Sequence, residues 1–491
     1  AILVGGEVLK VWQPDGSYAP PNPDGADLFW QLGNSTDNAD RLFDHSLAEL
    51  DQTAVLDGVA LSGAKGGEGG VLYNGTFAHP LLTNCVVVAN RAGVRLVSWM
   101  IFRDCRFLGN TGGAVFLTSG DWPRWAEFHD CVFDGNSTGN RGAAIASNNP
   151  GVQICRSRFI RNYASLKDYG PASAVGMENG KLFLRDSEFI GNFANGSVAT
   201  VWAASGGSIS NCLFVGNRAV RSGTTGAQML SSGLYASSDT YVDACSFVSN
   251  SASLTMTDGS QHGAASAVAY VSHRPRLINC TFHANTAAAS TSGDPAQTVA
   301  GTVIAFNSDT YGFLAHCSFS ENTAAHGDFV LLNPSSTRSQ NVFNSIFWNS
   351  APGYVPISRI GSGQFAIFQS TVKGWETIPA WVTTATAVST LNPQFARLQA
   401  VNGRFVLPLG GYSPVRRGGL DILLDAAGVH VYDSAADSGT PVYKRCDDLT
   451  ARTPTQPALQ IPDALGTLRV SGKISQGAVQ SSGGSTLLIL R

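Results

Sequence analysis

Any chemistry in this sequence would have to come from a few scattered polar residues. His262 stands near Asp258 in "TDGSQHGAA", and His326 near Asp328 in "AHGD". An imidazole oriented by a carboxylate is the usual general base. Both pairs sit in stretches of turn composition in different parts of the chain, where polar loop residues in solvent are the expected reading. "DNAD" (37–40) with Asp44 offers carboxylates for Ca²⁺ but lacks a regular ligand spacing. Asp447 and Asp448 read as turn or capping residues. Trp122 and Trp125 in "GDWPRW" (120–125) have the faces to stack on a sugar, although packing over a flank is the expected use. No catalytic residue, cofactor or metal ligand is assigned from these.

The elements that would position such residues are set by a repeat. "NCLFVGN" (211–217) returns as "DCRFLGN" (104–110), "DCVFDGN" (130–136), "DSEFIGN" (186–192), "ACSFVSN" (244–250), "NCTFHAN" (279–285) and "HCSFSEN" (316–322). Its aromatics are Phe107, Phe133, Phe159, Phe189, Phe214, Phe247, Phe282, Phe319 and Phe347, at gaps of 26, 26, 30, 25, 33, 35, 37 and 28 residues. A period in the twenties with variable excess marks a solenoid whose coils carry loops of different length. Two residues before the aromatic stands Cys105, Cys131, Ser157, Ser187, Cys212, Cys245, Cys280, Cys317 or Ser345. Three residues after it stands Asn110, Asn136, Asn162, Asn192, Asn217, Asn250, Asn285 or Asn322, and the last copy shifts its Asn one place early, to Asn349.

The apolar residue five before each aromatic has the opposite side-chain parity, so a polar bend must separate two short strands. Asp104, Asp130, Asp186, Asn211, Asn279 and Asn344 occupy that bend, and a third strand follows the Asn, as in "GGAVFL" (112–117) and "GTVIAF" (301–306). Three short strands per coil, each lying on its counterpart about 4.8 Å away, make a parallel β-helix of about a dozen coils. Like residues then lie on like. The spacing predicts an inner aromatic stack, an inner Cys/Ser stack and an Asn ladder closing the turns. Seven of the nine cysteines lie on the repeat, Cys155 is offset by two and Cys446 lies far away. Without a CxxC or Cys/His spacing they are expected to be buried thiols, an axial disulfide between coils being the alternative.

Composition narrows the class. Charged residues are 14% of 491 and the net charge is -3, so no basic field exists for nucleic acid. No run approaches the ~18 apolar residues of a membrane span. The expected division is a β-helix over 1–385, a C-terminal β module capping or continuing it over 386–480, and an apolar tail strand over 481–491.

With these motifs the chain resembles secreted right-handed parallel β-helix surface proteins of bacteria, with repeats like those of polymorphic outer-membrane proteins. The segment "LDGVALSGAKGGEGGVLYNGTFAHPLLTNCVVVANRA" (56–92) carries that likeness. "NPQFARLQAVNGRFVLPLGGYSPVRRGG" (392–419), "DDLTAR" (447–452) and "GKISQGAVQ" (472–480) are similar to a C-terminal surface-anchoring module, although Asn392, Ser475 and Gln480 replace the acidic residues usual there. The resemblance implies an all-β right-handed solenoid at the cell surface or outside the cell, and implies no activity.

Parallel β-helices of the pectin-lyase type cleave acidic polysaccharides, using clustered carboxylates with Ca²⁺ and a basic residue, or paired carboxylic acids on adjacent coils. Those sets are absent as sets here. The favoured expectation is a non-enzymatic structural or adhesive protein. It could assemble head to tail into a filament through an apolar first strand (Ile2, Leu3, Val4) and an apolar last one (Leu487, Leu488, Ile489, Leu490). The alternative is a polysaccharide lyase, hydrolase or carbohydrate-binding protein acting from long loops between 218 and 315.

Overall fold

The computed structural model describes residues 53–409 apart from short segments at 65–69, 76–79, 92, 98–99, 119–124, 140–141, 149–150, 166–171, 197–198, 225–227, 238–239, 257–262, 272–275, 292–298, 307–312, 333–338, 361–363 and 402–403. Outside that range it describes 2–4, 7–8, 11–12, 18–19, 42–45, 413–414, 423–424 and 459–460. Among the described residues every regular element is a strand. Two compact units are present: residues 1–183 with 187–205, and residues 184–186 with 206–491. Both are built from the same coil, and the fold is a parallel β-helix.

In the first unit the repeat strands Ala60–Ser62, Val86–Val88, Arg106–Leu108, Val132–Asp134, Arg158–Ile160 and Glu188–Ile190 pair in parallel and in register, so Phe107, Phe133, Phe159 and Phe189 fall on one line. The strands before the bend, from Val55–Asp57 through Met100–Arg103 and Trp125–His129 to Gly151–Cys155, form a second sheet. Those after the Asn, from Phe43–His45 to Ala199–Ala203, form the third. A fourth, narrow sheet is added between the Asn turn and the third strand, from Ser137–Thr138 through Tyr163–Ser165 to Phe193–Asn195.

The second unit repeats the plan, with Leu213–Val215, Ser246–Val248, Thr281–His283, Ser318–Ser320, Ile346–Trp348 and Thr371–Val372 in its repeat sheet. Its coils widen where the sequence suggests long loops. Arg218–Thr224, Ser251–Met256 and Thr286–Thr291 form one parallel layer, and Gly263–Val271 with Val299–Phe306 forms another. The expected loops between 218 and 315 are therefore largely strands. Ala252, Ala287 and Ala265 are buried there, and the layers approach so closely that a Cβ on Gly301 would stand 3.0 Å from the Ala287 carbonyl oxygen.

The bend explains its own composition. Asp104, Asp130, Asp186, Asn211, Asn279 and Asn344 all take positive φ between 48° and 56°. Asp and Asn tolerate that left-handed conformation better than other non-glycine residues. A second left-handed residue directly precedes the ladder Asn, and Gly109, Gly135, Gly191 and Gly216 fill it where the motif reads "GN".

Beyond Thr371–Val372 the chain adds Thr384–Thr386 to the sheet that precedes the bend. It then forms the antiparallel pair Gln399–Val401 and Arg404–Val406. The second of these strands lies on the flank of the unit: Ser246 Oγ donates to the Phe405 carbonyl at 2.8 Å and accepts the Phe405 N–H at 3.2 Å. The described part of the C-terminal segment thus runs back along the repeat sheet, over a strand four positions before the last one. The outward residues of that sheet in this unit, Leu213, Ser246, Thr281, Ser318 and Ile346, are all buried. Their counterparts Arg106 and Arg158 in the first unit are exposed.

Candidate functional site

The repeated asparagines form a continuous buried hydrogen-bond ladder in each unit. Asn162 Oδ1 accepts both the backbone N–H of Asn136 at 3.1 Å and its Nδ2 at 3.0 Å, while Asn136 Nδ2 also donates to the Phe107 carbonyl at 2.9 Å. Asn110 stands in the same relation to Asn136, and Asn162 to Asn192. In the second unit Asn217, Asn250, Asn285 and Asn322 repeat it at 2.9–3.0 Å. Both amide hydrogens and the carbonyl oxygen are satisfied, which is what makes an amide affordable in a dry interior. The ladder starts one coil earlier than the aromatic alignment indicates. Asn90 Nδ2 donates to Asn110 Oδ1 at 2.9 Å, and Val87 holds the slot that Phe fills elsewhere. Asn349, one place early, leaves the pattern: its Nδ2 donates to the Asn322 carbonyl instead.

The Cys/Ser column is a second ladder. Cys85, Cys105, Cys131, Cys212, Cys245, Cys280 and Cys317 are free and buried, and each thiol lies 3.2–3.4 Å from the carbonyl two residues before it. Ser157 makes the same bond to the Cys155 carbonyl at 3.0 Å and accepts the Cys131 N–H at 3.1 Å. The Cys105 thiol is pushed up to about 12, first by its hydrogen bond to Cys131. The Cys85 thiol is raised by its bond to Cys105 and then by burial, and the Cys280 thiol chiefly by burial. Such thiols stay protonated and unreactive. Beside them the phenyl rings stack face to face, at 4.6–4.8 Å from Phe107 through Phe189 and at 4.4–5.3 Å from Phe214 through Phe347.

Of the residues that the sequence offers for chemistry, only some are described, and those do not converge. Asp258, His262, Trp122, Asp447 and Asp448 lie outside the described residues, as do Leu487, Leu488, Ile489 and Leu490, Cys446 and the "DNAD" stretch. Asp328 is described, and it is no solvated loop residue. It is fully buried, its Oδ2 accepts the Tyr354 hydroxyl and its Oδ1 finds no partner. Burial holds its carboxyl up at about 7 against the ordinary 3.8. His326 faces elsewhere: Nδ1 accepts the Gly301 N–H at 3.3 Å, and burial lowers the imidazole. The pair therefore does not form a base with its orienting acid.

Trp125 begins a strand, not a loop. Its indole lies over Gly151, where a Cβ would stand 2.5 Å from the ring, and reaches Phe183 at 5.1 Å. Among the described residues no three His, Cys, Asp or Glu side chains are placed to hold a metal ion, and no helix is long and apolar enough to cross a membrane. Ile2–Val4 pairs in parallel with Ala60–Ser62 on one edge and antiparallel with Glu7–Val8 on the other. Both edges of that strand are occupied within the chain, so it offers no free edge for strand addition.

The sequence reading counts Cys155 among the buried thiols, which the structure bears out, but assigns it no further role. Its signal was the two-residue offset from the Cys column, which places it on the strand before the bend, in register with His129.

Comparison with models of known protein families finds no match, and comparison with curated proteins finds none. Neither comparison identifies the outer-membrane-type repeat or a surface-anchoring module in this chain.

Proposed function

We propose that the protein is a non-enzymatic structural or adhesive scaffold acting outside the cell or at its surface. The observation that carries this reading is the Asn ladder: the residues the sequence repeats most faithfully are bonded to one another in the interior, coil after coil. Outward charges follow the same rule in the first unit. Asp130 takes a two-pronged bond from Arg156, at 2.8 Å and 2.7 Å, and Glu188 pairs with Arg158 at 2.8 Å. These carboxylates are committed to neighbouring coils, whereas a glycosidase or lyase needs them turned together on a sugar. The surface address rests on the resemblance of the repeats.

The test is to incubate the purified chain with acidic and neutral polysaccharides, following new reducing ends and unsaturated products, with binding to the same polysaccharides measured in parallel. Binding or inertness without turnover is expected. Turnover abolished by substituting a carboxylate of this chain would overturn the proposal.

A further inference from the structure

One outward cluster serves neither ladder. On the strand Trp125–His129 the side chains of Trp125, Glu127 and His129 alternate to the outer face, and the next coil sets Gly151, Gln153 and Cys155 beside them in register. The His129 ring meets Glu127 Oε2 through Nε2 at 2.9 Å and is also hydrogen-bonded to the Cys155 thiol. Gln153 Nε2 approaches Cys155 Sγ at 3.7 Å. The three titratable groups lie in series, thiol to imidazole to carboxylate, with an amide N–H on the sulfur.

That series separates Cys155 from the seven column thiols. Each of those points its sulfur at a backbone carbonyl, an arrangement that stabilises the protonated thiol. Cys155 has instead a base to take its proton and a donor to steady the resulting anion, the arrangement that activates a cysteine. The hydrogen bonds to Cys155 and then Glu127 raise the imidazole to about 9, which makes it basic enough to keep the proton it takes from the thiol.

We infer that Cys155 is a covalent modification site, a thiolate paired with His129 and braced by Glu127, that takes disulfides by exchange. The thiol proton passes to His129, and the Cys155 sulfur attacks one sulfur of a low-molecular-weight disulfide. The S–S bond of that reagent breaks as the new one forms, and the other half leaves as a thiolate. No net oxidant is needed, because the incoming disulfide is itself the electron acceptor. Cys155 is buried, with the part-exposed Gln153 and His129 side chains beside it on the outer face, so the reagent must enter past them while both stay against the sulfur. The Trp125 indole, resting over Gly151 on the same face, favours a flat, aromatic disulfide. Glu127 acts through His129 and is a positioning residue.

The test treats the native full chain at neutral pH with 4,4′-dithiodipyridine, follows the released pyridinethione and maps the modified peptide by mass spectrometry. One equivalent is expected to react in a fast phase, on Cys155. Cys155→Ser should abolish that phase and His129→Gln slow it by about tenfold or more, with a smaller loss in Glu127→Gln. The ultraviolet absorption band of a thiolate should be present in the wild type and missing from Cys155→Ser at the same pH. This difference needs no His129 variant, so the inference stays testable if His129→Gln fails to fold. A fast phase on another cysteine, no reaction before global unfolding, or no thiolate band would overturn it. So would an unchanged rate in a folded His129→Gln.

Discussion

Replacing Asn136 by Ala removes four hydrogen bonds from the first unit at once: two received from Asn110, at 3.0 and 2.8 Å, and two given, to Phe107 O at 2.9 Å and Asn162 Oδ1 at 3.0 Å. They do not count equally. Asn162 Oδ1 keeps the backbone N–H of residue 136, so it stays satisfied. The Asn110 backbone N–H and one of its amide hydrogens are left in a dry interior with nothing to donate to. Each orphaned donor costs about 1–3 kcal/mol, so the expected loss is about 4 kcal/mol. Asn136→Asp separates shape from hydrogen bonding. A carboxylate can still accept from Asn110, but its second oxygen would face Phe107 O and Asn162 Oδ1, both acceptors. Only the protonated acid fits, so its folded pKa must rise above the usual carboxylate range. The variant should then be most stable in acid and lose stability as pH climbs through that range, while Asn136→Ala should show no such slope relative to wild type. Urea unfolding at several pH values would read both, with hydrogen exchange of Arg106–Leu108 and Val132–Asp134 locating the loss, since damage in a repeat array stays local. A loss below about 1 kcal/mol for the Ala variant, or a pH-independent Asp variant, would refute the reasoning.

Asp328→Asn should remove a titration from the folded state. With a folded value of about 7 against 3.8, the wild type loses about 4 kcal/mol as pH rises between those values and nothing further above them. Melting temperatures of the two proteins should therefore diverge over that window and run parallel beyond it. Cys131→Ser should be tolerated to within about 1 kcal/mol in denaturant midpoint, because Ser157 already makes both bonds that a column residue makes. Gly301→Val should push apart the two layers of the widened coils, since even a Cβ meets Ala287 O at 3.0 Å. A loss of about 1–3 kcal/mol is expected, with faster proteolysis between 251 and 306 as the readout.

The repeat was legible because every coil asks the same of the same offset. An aromatic must stack on its neighbour's ring, an Asn must saturate its amide on the next Asn, and an Asp or Asn must turn left-handed at the bend. The widened coils were legible only in part: "GTVIAF" reads as a strand and lies in one, but the added length around it did not read so. "SASLTM" and "GAASAVAYV" carry the Ala and Ser that composition assigns to loops, and only the facing layer, met at Gly301 and Ala287, makes small residues the right ones for strands. Asp328 and Cys155 were hidden for the opposite reason. Neither stands at a repeated offset of the motif, so no neighbouring coil announces its surroundings, and Cys155 lies on the strand before the bend. The Asp328 carboxyl went inward to meet Tyr354, and the Cys155 thiol went outward to meet His129.

The outward column beside the stacked phenylalanines differs between the two units. In the first unit it reads Arg106, Val132, Arg158, Glu188, and in the second Leu213, Ser246, Thr281, Ser318, Ile346. The change from charged to small and apolar matches the change in cover, since Phe405 is bonded to Ser246 and the second column is buried. A chain that covers one of its own sheets has no use for charge there, and a chain that leaves a sheet open needs it to keep that face from pairing wrongly. At Ser246 the repeat sheet of the second unit is covered by its own C-terminal segment. The open face is that of the first unit, where Arg156, Arg158 and Arg161 stay more than half exposed while holding their acidic neighbours. Exposed pairs of this kind contribute little to stability, so their role is to keep the open face charged rather than to hold the coils together.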